Sequence, residues 1–175
     1  MKRTDFQGEL ERLHAASFGW ALWCCEHRRE EAEEVLQSAY LKVLEGRARF
    51  GGESSLRTWF FGVIRRTAAE RRRRRWVREQ LLGRWLASQP GAAVAADPEE
   101  EACGSQRGRG LLQAVAGLPE RQREVLHLVF YQEMTVEEAS RVMKVSLGTA
   151  RTHFARGKAG LRRKLGPAEG EDDGQ

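Results

Sequence analysis

Apolar positions recur at three- and four-residue steps in three stretches of the N-terminal half, and no stretch sustains a two-residue alternation. The faintest stripe covers residues 7–27, with Leu10, Leu13, Trp20, Ala21 and Cys24 roughly on one side. A clearer one spans residues 30–44, where Ala32, Val35, Leu36, Ala39, Tyr40, Val43 and Leu44 line one helical face. Residues 50–55, Phe-Gly-Gly-Glu-Ser-Ser, interrupt the pattern, and either Ser54 or Ser55 can cap the next helix. Leu56, Trp59, Phe60, Val63, Ile64 and Thr67 then form a third stripe, expected to end in the arginine run of residues 71–75. These helices carry enough aromatic residues to close a small all-α core over about residues 1–85.

From Ala87 to about Gly110 the pattern dissolves into Pro, Gly, Ala and acids without periodicity, the composition of a flexible linker. A second helical unit begins at Leu111. Leu118-Pro119 starts a helix that continues through Glu124, Val125, Leu126 and Val129. Thr135-Val-Glu-Glu138 has capping-box spacing, the hydroxyl serving one end and Glu138 reaching back. A short helix to Val142, a break at residues 143–145 and a cap at Ser146 lead into a last helix over Leu147–Leu165. The tail, residues 167–175, is expected to be disordered.

The chain has 175 residues, room for one large domain or two small ones. No run of about 18 apolar residues is present to cross a membrane. The start, MKRTDFQGEL, has no apolar segment after its charges, so no secretory signal is expected. Cys24, Cys25 and Cys103 cannot build a disulfide framework, which points to a reduced, cytoplasmic protein. Net charge is +5, unevenly spread. Residues 47–78 hold eleven arginines against Glu53 and Glu70; residues 141–165 hold eight Lys or Arg and no acid. Four acids fall in residues 97–101 and four more in residues 169–173. Two basic blocks around an acidic spacer suit two contacts with one long polyanion; the competing reading is solvated helix faces.

A short helix, a tight turn and a longer basic helix make a helix-turn-helix. On the last helix Leu147, Ala150, Phe154, Leu161 and Leu165 share the inward face, while Gly148, Arg151, Thr152 and Ala155 lie opposite, flanked by Thr149 and Arg156. Gly148 and Ala155 let a backbone approach DNA. Arg151 and Arg156 can read a guanine edge, and Thr152 a thymine methyl. Lys158, Arg162 and Arg163 suit phosphates, which position without specifying.

LPERQREVL (118–126), TVEEASRVM (135–143) and VSLGTARTHFARGKAGLRRKL (145–165) resemble region four of bacterial sigma factors. EEAEEVLQSAYLKVLE (30–45) and SSLRTWFFGVIRRTAAERRRRR (54–75) resemble region two. With no region three between them, the chain is similar to the two-domain extracytoplasmic-function (ECF) sigma factors. The resemblance implies an all-α fold: a region-two domain over residues 1–86, a flexible acidic linker over 87–110, a region-four domain over 111–166 and an acidic tail over 167–175. It implies that Glu34, Gln37, Ser38 and Leu41 meet the clamp helices of the RNA polymerase β′ subunit. It assigns minus-ten promoter capture and melting to Arg57, Thr58, Phe61, Arg65, Arg66, Arg72 and Arg73. The minus-thirty-five element falls to Ser146, Gly148, Thr149, Arg151, Thr152, His153, Arg156, Lys158, Arg162 and Arg163. A cognate anti-sigma factor is a further expected partner.

The helical wheel of residues 56–75 puts Trp59 and Phe60 on the core stripe and Phe61 outward with Thr58 and Arg65, which makes Phe61 the better base-stacking candidate. Three positions depart from the usual family pattern: Ser38 replaces Glu, Arg66 replaces Asn, and Lys144 replaces Gly. Cys24, Cys25 and His27 do not have a metal-closing spacing, and no catalytic group stands out. No enzyme activity, cofactor or metal is therefore expected. Two alternatives stay open: a freestanding helix-turn-helix regulator, and a recombinase using Ser17 or Tyr40, though neither candidate has strands around it.

Overall fold

The computed structural model describes residues 3–87 and 113–165, which belong to two compact units. The expected linker from residue 88 to 110, the tail, and Cys103 lie outside the described residues.

The first unit contains α1 (Arg3–Arg12), α2 (His14–Cys24), α3 (Arg29–Leu44) and α4 (Leu56–Ala87). The single stripe over residues 7–27 is thus two helices, broken at Leu13. After α2 the chain reverses through Glu26 and His27, both with positive φ. Ala32, Val35, Leu36 and Ala39 of α3 are buried, as their spacing predicts, and Tyr40 and Val43 are half-buried, whereas Leu44 at the end of that stripe is 68% exposed. Ser55 is the cap of α4: its Oγ accepts from the Thr58 N–H at 3.2 Å.

On α4 the core is wider than a stripe. Leu56, Phe60, Phe61, Val63, Ile64, Thr67 and Ala68 are all buried, because α4 packs against α1, α2 and α3 together. Trp20 of α2 is fully buried, stacks on Phe61 with ring centroids 5.9 Å apart, and donates its indole N–H to the Phe61 carbonyl at 3.0 Å. Trp59 is only half-buried and sits against Phe6 and Phe50. Nor does α4 stop in the arginine run. It continues to Ala87, since arginine is a good helix former and no proline interrupts the segment.

The second unit holds one helical turn at residues 113–116, α5 (Glu120–Leu126), a π-helical turn (His127–Tyr131), α6 (Val136–Met143) and α7 (Leu147–Leu165). The capping box of Thr135 and Glu138 is complete, with both reciprocal bonds formed. Lys144 ends α6 in the left-handed region at φ 54°, where a side chain costs roughly 1–2 kcal/mol that glycine would avoid. Ser146 then caps α7 by accepting from the Thr149 N–H at 3.1 Å. Of the expected inward stripe on α7, Ala150 is buried and Leu147, Phe154 and Leu161 are half-buried, whereas Leu165 is 48% exposed. Two glycines make the closest approach instead. A Cβ on Gly157 would stand 2.9 Å from Leu126 Cδ1, and one on Gly160 2.6 Å from Leu118 Cδ2.

Glycine inside a helix normally costs ~1 kcal/mol against alanine, so Gly148 and Gly157, on opposite faces of α7, separate propensity from packing. Gly148→Ala, whose Cβ would find only Ser146 Oγ at 3.9 Å, should leave thermal stability unchanged or slightly higher. Gly157→Ala should lower it by a net ~0.5–2 kcal/mol, because overpacking outweighs propensity. Chemical denaturation of both variants measures the difference.

Candidate nucleic-acid interface

The helix-turn-helix presents its outer face through local backbone chemistry. The Ser146 cap, whose Oγ lies 2.8 Å from Thr149 Oγ1, starts α7 abruptly and leaves Gly148, Thr149, Arg151 and Thr152 exposed in its first turns. Thr152 Oγ1 donates to the Gly148 carbonyl at 3.0 Å, which ties its hydroxyl to the backbone of the preceding turn. Arg156, Lys158, Arg162 and Arg163 are exposed farther along, and Ser146 is exposed at the start. His153 is half-buried. The Lys158 ammonium lies 4.8 Å from the Phe154 ring centroid, a cation–π contact that anchors its stem. One helix therefore offers small residues and hydrogen-bonding groups at its N-terminal end and a cluster of cations at its C-terminal end.

In the first unit, α4 brings Arg65, Arg66, Arg72 and Arg73 to the outside, with Arg65 half-buried and the others exposed. Phe61 and Thr58 are not with them. Phe61 is fully buried and Thr58 2% exposed, its Oγ1 2.8 Å from Ser55 Oγ. The expectation of an outward Phe61 is thus corrected. A wheel with one buried stripe fails for a helix buried on two flanks, and the flank holding Phe61 faces Trp20 of α2. The Arg57 guanidinium lies 5.4 Å from the Phe61 centroid and closes that flank, so Arg57 is half-buried rather than free on the surface.

On α3, Glu34 and Gln37 are exposed, Ser38 is half-buried and Leu41 is 44% exposed, so the four share the outer face. Sequence reasoning missed what holds that face to α4. Arg71 pairs with Glu34, and Arg75 pairs with Glu31, which also takes Arg28 at 2.8 Å. Lys42 Nζ donates to Glu70 at 2.7 Å and to Thr67 Oγ1 at 3.1 Å. The arginine run is therefore divided: Arg71 and Arg75 turn toward α3, while Arg72 and Arg73 face outward. A turn-spaced acid pair at 31 and 34 opposite turn-spaced arginines was present in the sequence. It becomes readable only once α3 and α4 are known to pack side by side. Between them lies an open groove of about 480 Å³ whose lining includes Ser38, Leu41, Arg74 and Arg78.

Burial pushes the Cys25 thiol up to about 11, with Glu31 adding to the effect, so its sulfur stays a neutral packing group at neutral pH. Among the described residues no group of three or more His, Cys, Asp or Glu is placed to hold a metal, and no helix is long and apolar enough to cross a membrane.

Comparison with known proteins gives two family matches. Residues 11–78 match sigma-70 region 2 and residues 109–161 match sigma-70, region 4. Among curated relatives, the chain is 26% identical to RNA polymerase sigma factor YlaC of Bacillus subtilis over 98% of this chain and 99% of the relative. It is 28% identical to ECF RNA polymerase sigma factor EcfG of Rhodopseudomonas palustris, over 83% of this chain and 77% of the relative. Among solved structures, sigma factor RpoE from Bartonella quintana, crystallised with the anti-sigma factor NepR, matches with a TM-score of 0.65 at 23% identity, covering 92% of this chain and 96% of that one. CnrH, in complex with the cytosolic domain of CnrY, matches with a TM-score of 0.60 at 19% identity, covering 94% and 89%. The likeness to these two structures is one of fold.

The α3–α4 ion pairs make a prediction about pH. The hydrogen bond from Lys42 holds the Glu70 carboxyl below its usual range, with the charges of Lys42, Arg74 and Arg66 reinforcing it. A carboxyl lowered in the folded state stabilises above its ordinary value of 4.5, and that contribution is lost as pH falls through the lowered value. Glu70→Gln should cost ~0.2–1 kcal/mol at pH 7, as expected for a partly exposed pair. The gap from the parent protein should close on acidification below pH 4.5, measured by urea unfolding at a series of pH values.

Proposed function

The chain belongs to the sigma-70 family as a two-domain ECF sigma factor, and from that premise we propose how its residues divide the work of transcription initiation. It is an alternative sigma factor, binding core RNA polymerase and directing it to promoters. In our reading residues 1–86 form the region-two domain, residues 111–166 the region-four domain, 87–110 the acidic linker, and 167–175 a tail. The protein acts by binding alone, in the cytoplasm, and the polymerase supplies the chemistry. A cognate anti-sigma factor completes the partner set.

The observation that carries this division is the exposed face of α7. Gly148, Thr149, Arg151 and Thr152 lie together, and the cations follow two turns later. The first group suits the minus-thirty-five base edges, with Arg156 at its boundary, and the second suits phosphates. His153, half-buried beside Thr152, contributes at the edge of that surface. For the minus-ten element the reading rests on Arg65, Arg66, Arg72 and Arg73; Arg57, Thr58 and Phe61 support it from beneath by holding α4 in place. Glu34, Gln37, Ser38 and Leu41 form the surface for the clamp helices. The observation in favour is a small apolar patch: Leu41, 44% exposed, and Leu44, 68% exposed one turn on, lie beside two exposed polar residues, which suits a protein contact.

Transcription reconstituted from purified core polymerase and this chain tests the reading, since a freestanding regulator would instead shift duplex DNA alone. On promoters mapped that way, Arg151→Ala should cost ~1–3 kcal/mol and relax preference at one base step. Arg162→Ala should weaken all promoters alike and flatten the salt dependence. Equal effects of the two on base preference would refute the division of labour. Gln37→Ala and Leu41→Ala should weaken assembly with core polymerase while leaving the melting temperature nearly unchanged. A loss of ~2–5 kcal/mol of stability in Leu41→Ala would instead mark a core residue.

A further inference from the structure

Beyond Arg75 every described side chain of α4 through Leu82 is exposed, and Trp76, at 59%, is the largest of them. Its helical neighbours one turn back are Arg72 and Arg73, at spacings of four and three. The same geometry recurs one heptad earlier, where Arg65 and Arg66 precede the exposed Ala69. Gly62 lies on the line that Ala69 and Trp76 continue. The outer face of α4 is thus a track with a floor of small residues, flanked by arginine pairs about 10 Å apart at 1.5 Å per residue, and it ends on a broad aromatic surface.

We propose that Trp76 is a base-stacking residue at the far end of this track, which holds a single strand of promoter DNA exposed by melting. The occupant is set by charge and shape. Arg65 and Arg72 on one edge and Arg66 and Arg73 on the other flank the track, and four cations along two turns suit a polyanion. A floor of glycine and alanine admits a flat chain of sugars and bases. An indole ring on the same line gives a base a face to stack on, which only an unpaired base can offer. Phe61, the aromatic residue that sequence periodicity favours for this task, is buried under Arg57. Among the described side chains of α4, Trp76 supplies the exposed ring on that side. This inference rests on the reading that the outer face of α4 meets promoter DNA.

The test uses holoenzyme reconstituted with core polymerase, and a fluorescent single-stranded oligonucleotide carrying the mapped minus-ten sequence. Trp76→Ala should weaken oligonucleotide binding roughly 5- to 150-fold, the range for loss of one stacked base. Trp76→Phe should restore most of it, and binding of fully duplex promoter should change much less. The melting temperature and the affinity for core polymerase should match the parent protein, because Trp76 packs on the outside of the unit. Arg66→Ala and Arg73→Ala report on the underlying reading. If they weaken the oligonucleotide and Trp76→Ala does not, the stacking role is wrong and the DNA face stands. If none of the three has an effect, the DNA face itself is wrong. Reduced affinity of Trp76→Ala for core polymerase, with DNA binding unchanged once assembled, would make Trp76 a polymerase contact and overturn the proposal.

Discussion

The rotational phase of α4 is the constraint on which the first unit depends. A helix packed on one side can roll by tens of degrees at little cost, but one wedged among three others cannot. Phe60 and Phe61, adjacent in sequence and about 100° apart around the axis, are both fully buried, which is possible only when neighbours flank the helix on both sides. The Trp20 indole adds direction to that packing. Its N–H donates to the Phe61 carbonyl, so the aromatic stack and the hydrogen bond must be satisfied in the same register. Rolling α4 would break both and expose the rings. The outward arginines point where they do because the other side of the helix cannot turn away from its partners.

Ion pairs then complete what burial begins. Surface pairs individually contribute little, yet those linking Glu31 and Glu34 to Arg75 and Arg71 span two helices, and the Lys42–Glu70 pair spans the same two. Their role is geometric more than energetic. The first two each take one arginine out of a run of five and turn it toward α3, so a stretch that reads as uniform charge becomes two-sided. The same pairs join the surface proposed for polymerase to the helix proposed for DNA, since Glu34 sits on the first and is held by Arg71 of the second. Neither surface can shift without disturbing the other.

The second unit reaches its geometry by local means. Caps at Thr135 and Ser146 start α6 and α7, and Lys144 ends α6 with a left-handed backbone, so that one helix gives way to the next between Met143 and Leu147. Strain at that residue is the cost of a short turn, offset by the capping bonds on either side. The remaining adjustment is steric: Gly157 and Gly160 allow α7 to lie against Leu126 and Leu118 more closely than any side chain would permit. Close packing on that side keeps the opposite side of α7 clear and exposed.

Features that depend on neighbours within a few residues could be read directly from the sequence. The capping box at Thr135, the caps at Ser55 and Ser146, the break at Lys144, the buried stripe of α3 and the exposed face of α7 all arise from spacings of three or four. So does the outward set of Glu34, Gln37, Ser38 and Leu41, because α3 buries one stripe and leaves the other to solvent. Where an element meets several others, periodicity alone was insufficient. It placed Phe61 and Thr58 outside, ended α4 in the arginine run, put Leu165 inside, and gave no role to Gly157 or Gly160. The burial of Phe61 and the close approach at Gly157 and Gly160 depend on contacts between residues far apart in the chain: Trp20 with Phe61, Leu126 with Gly157, Leu118 with Gly160. A helical wheel records which residues share a face. How many faces are covered, and which arginine finds a carboxylate, was decided only when the helices packed.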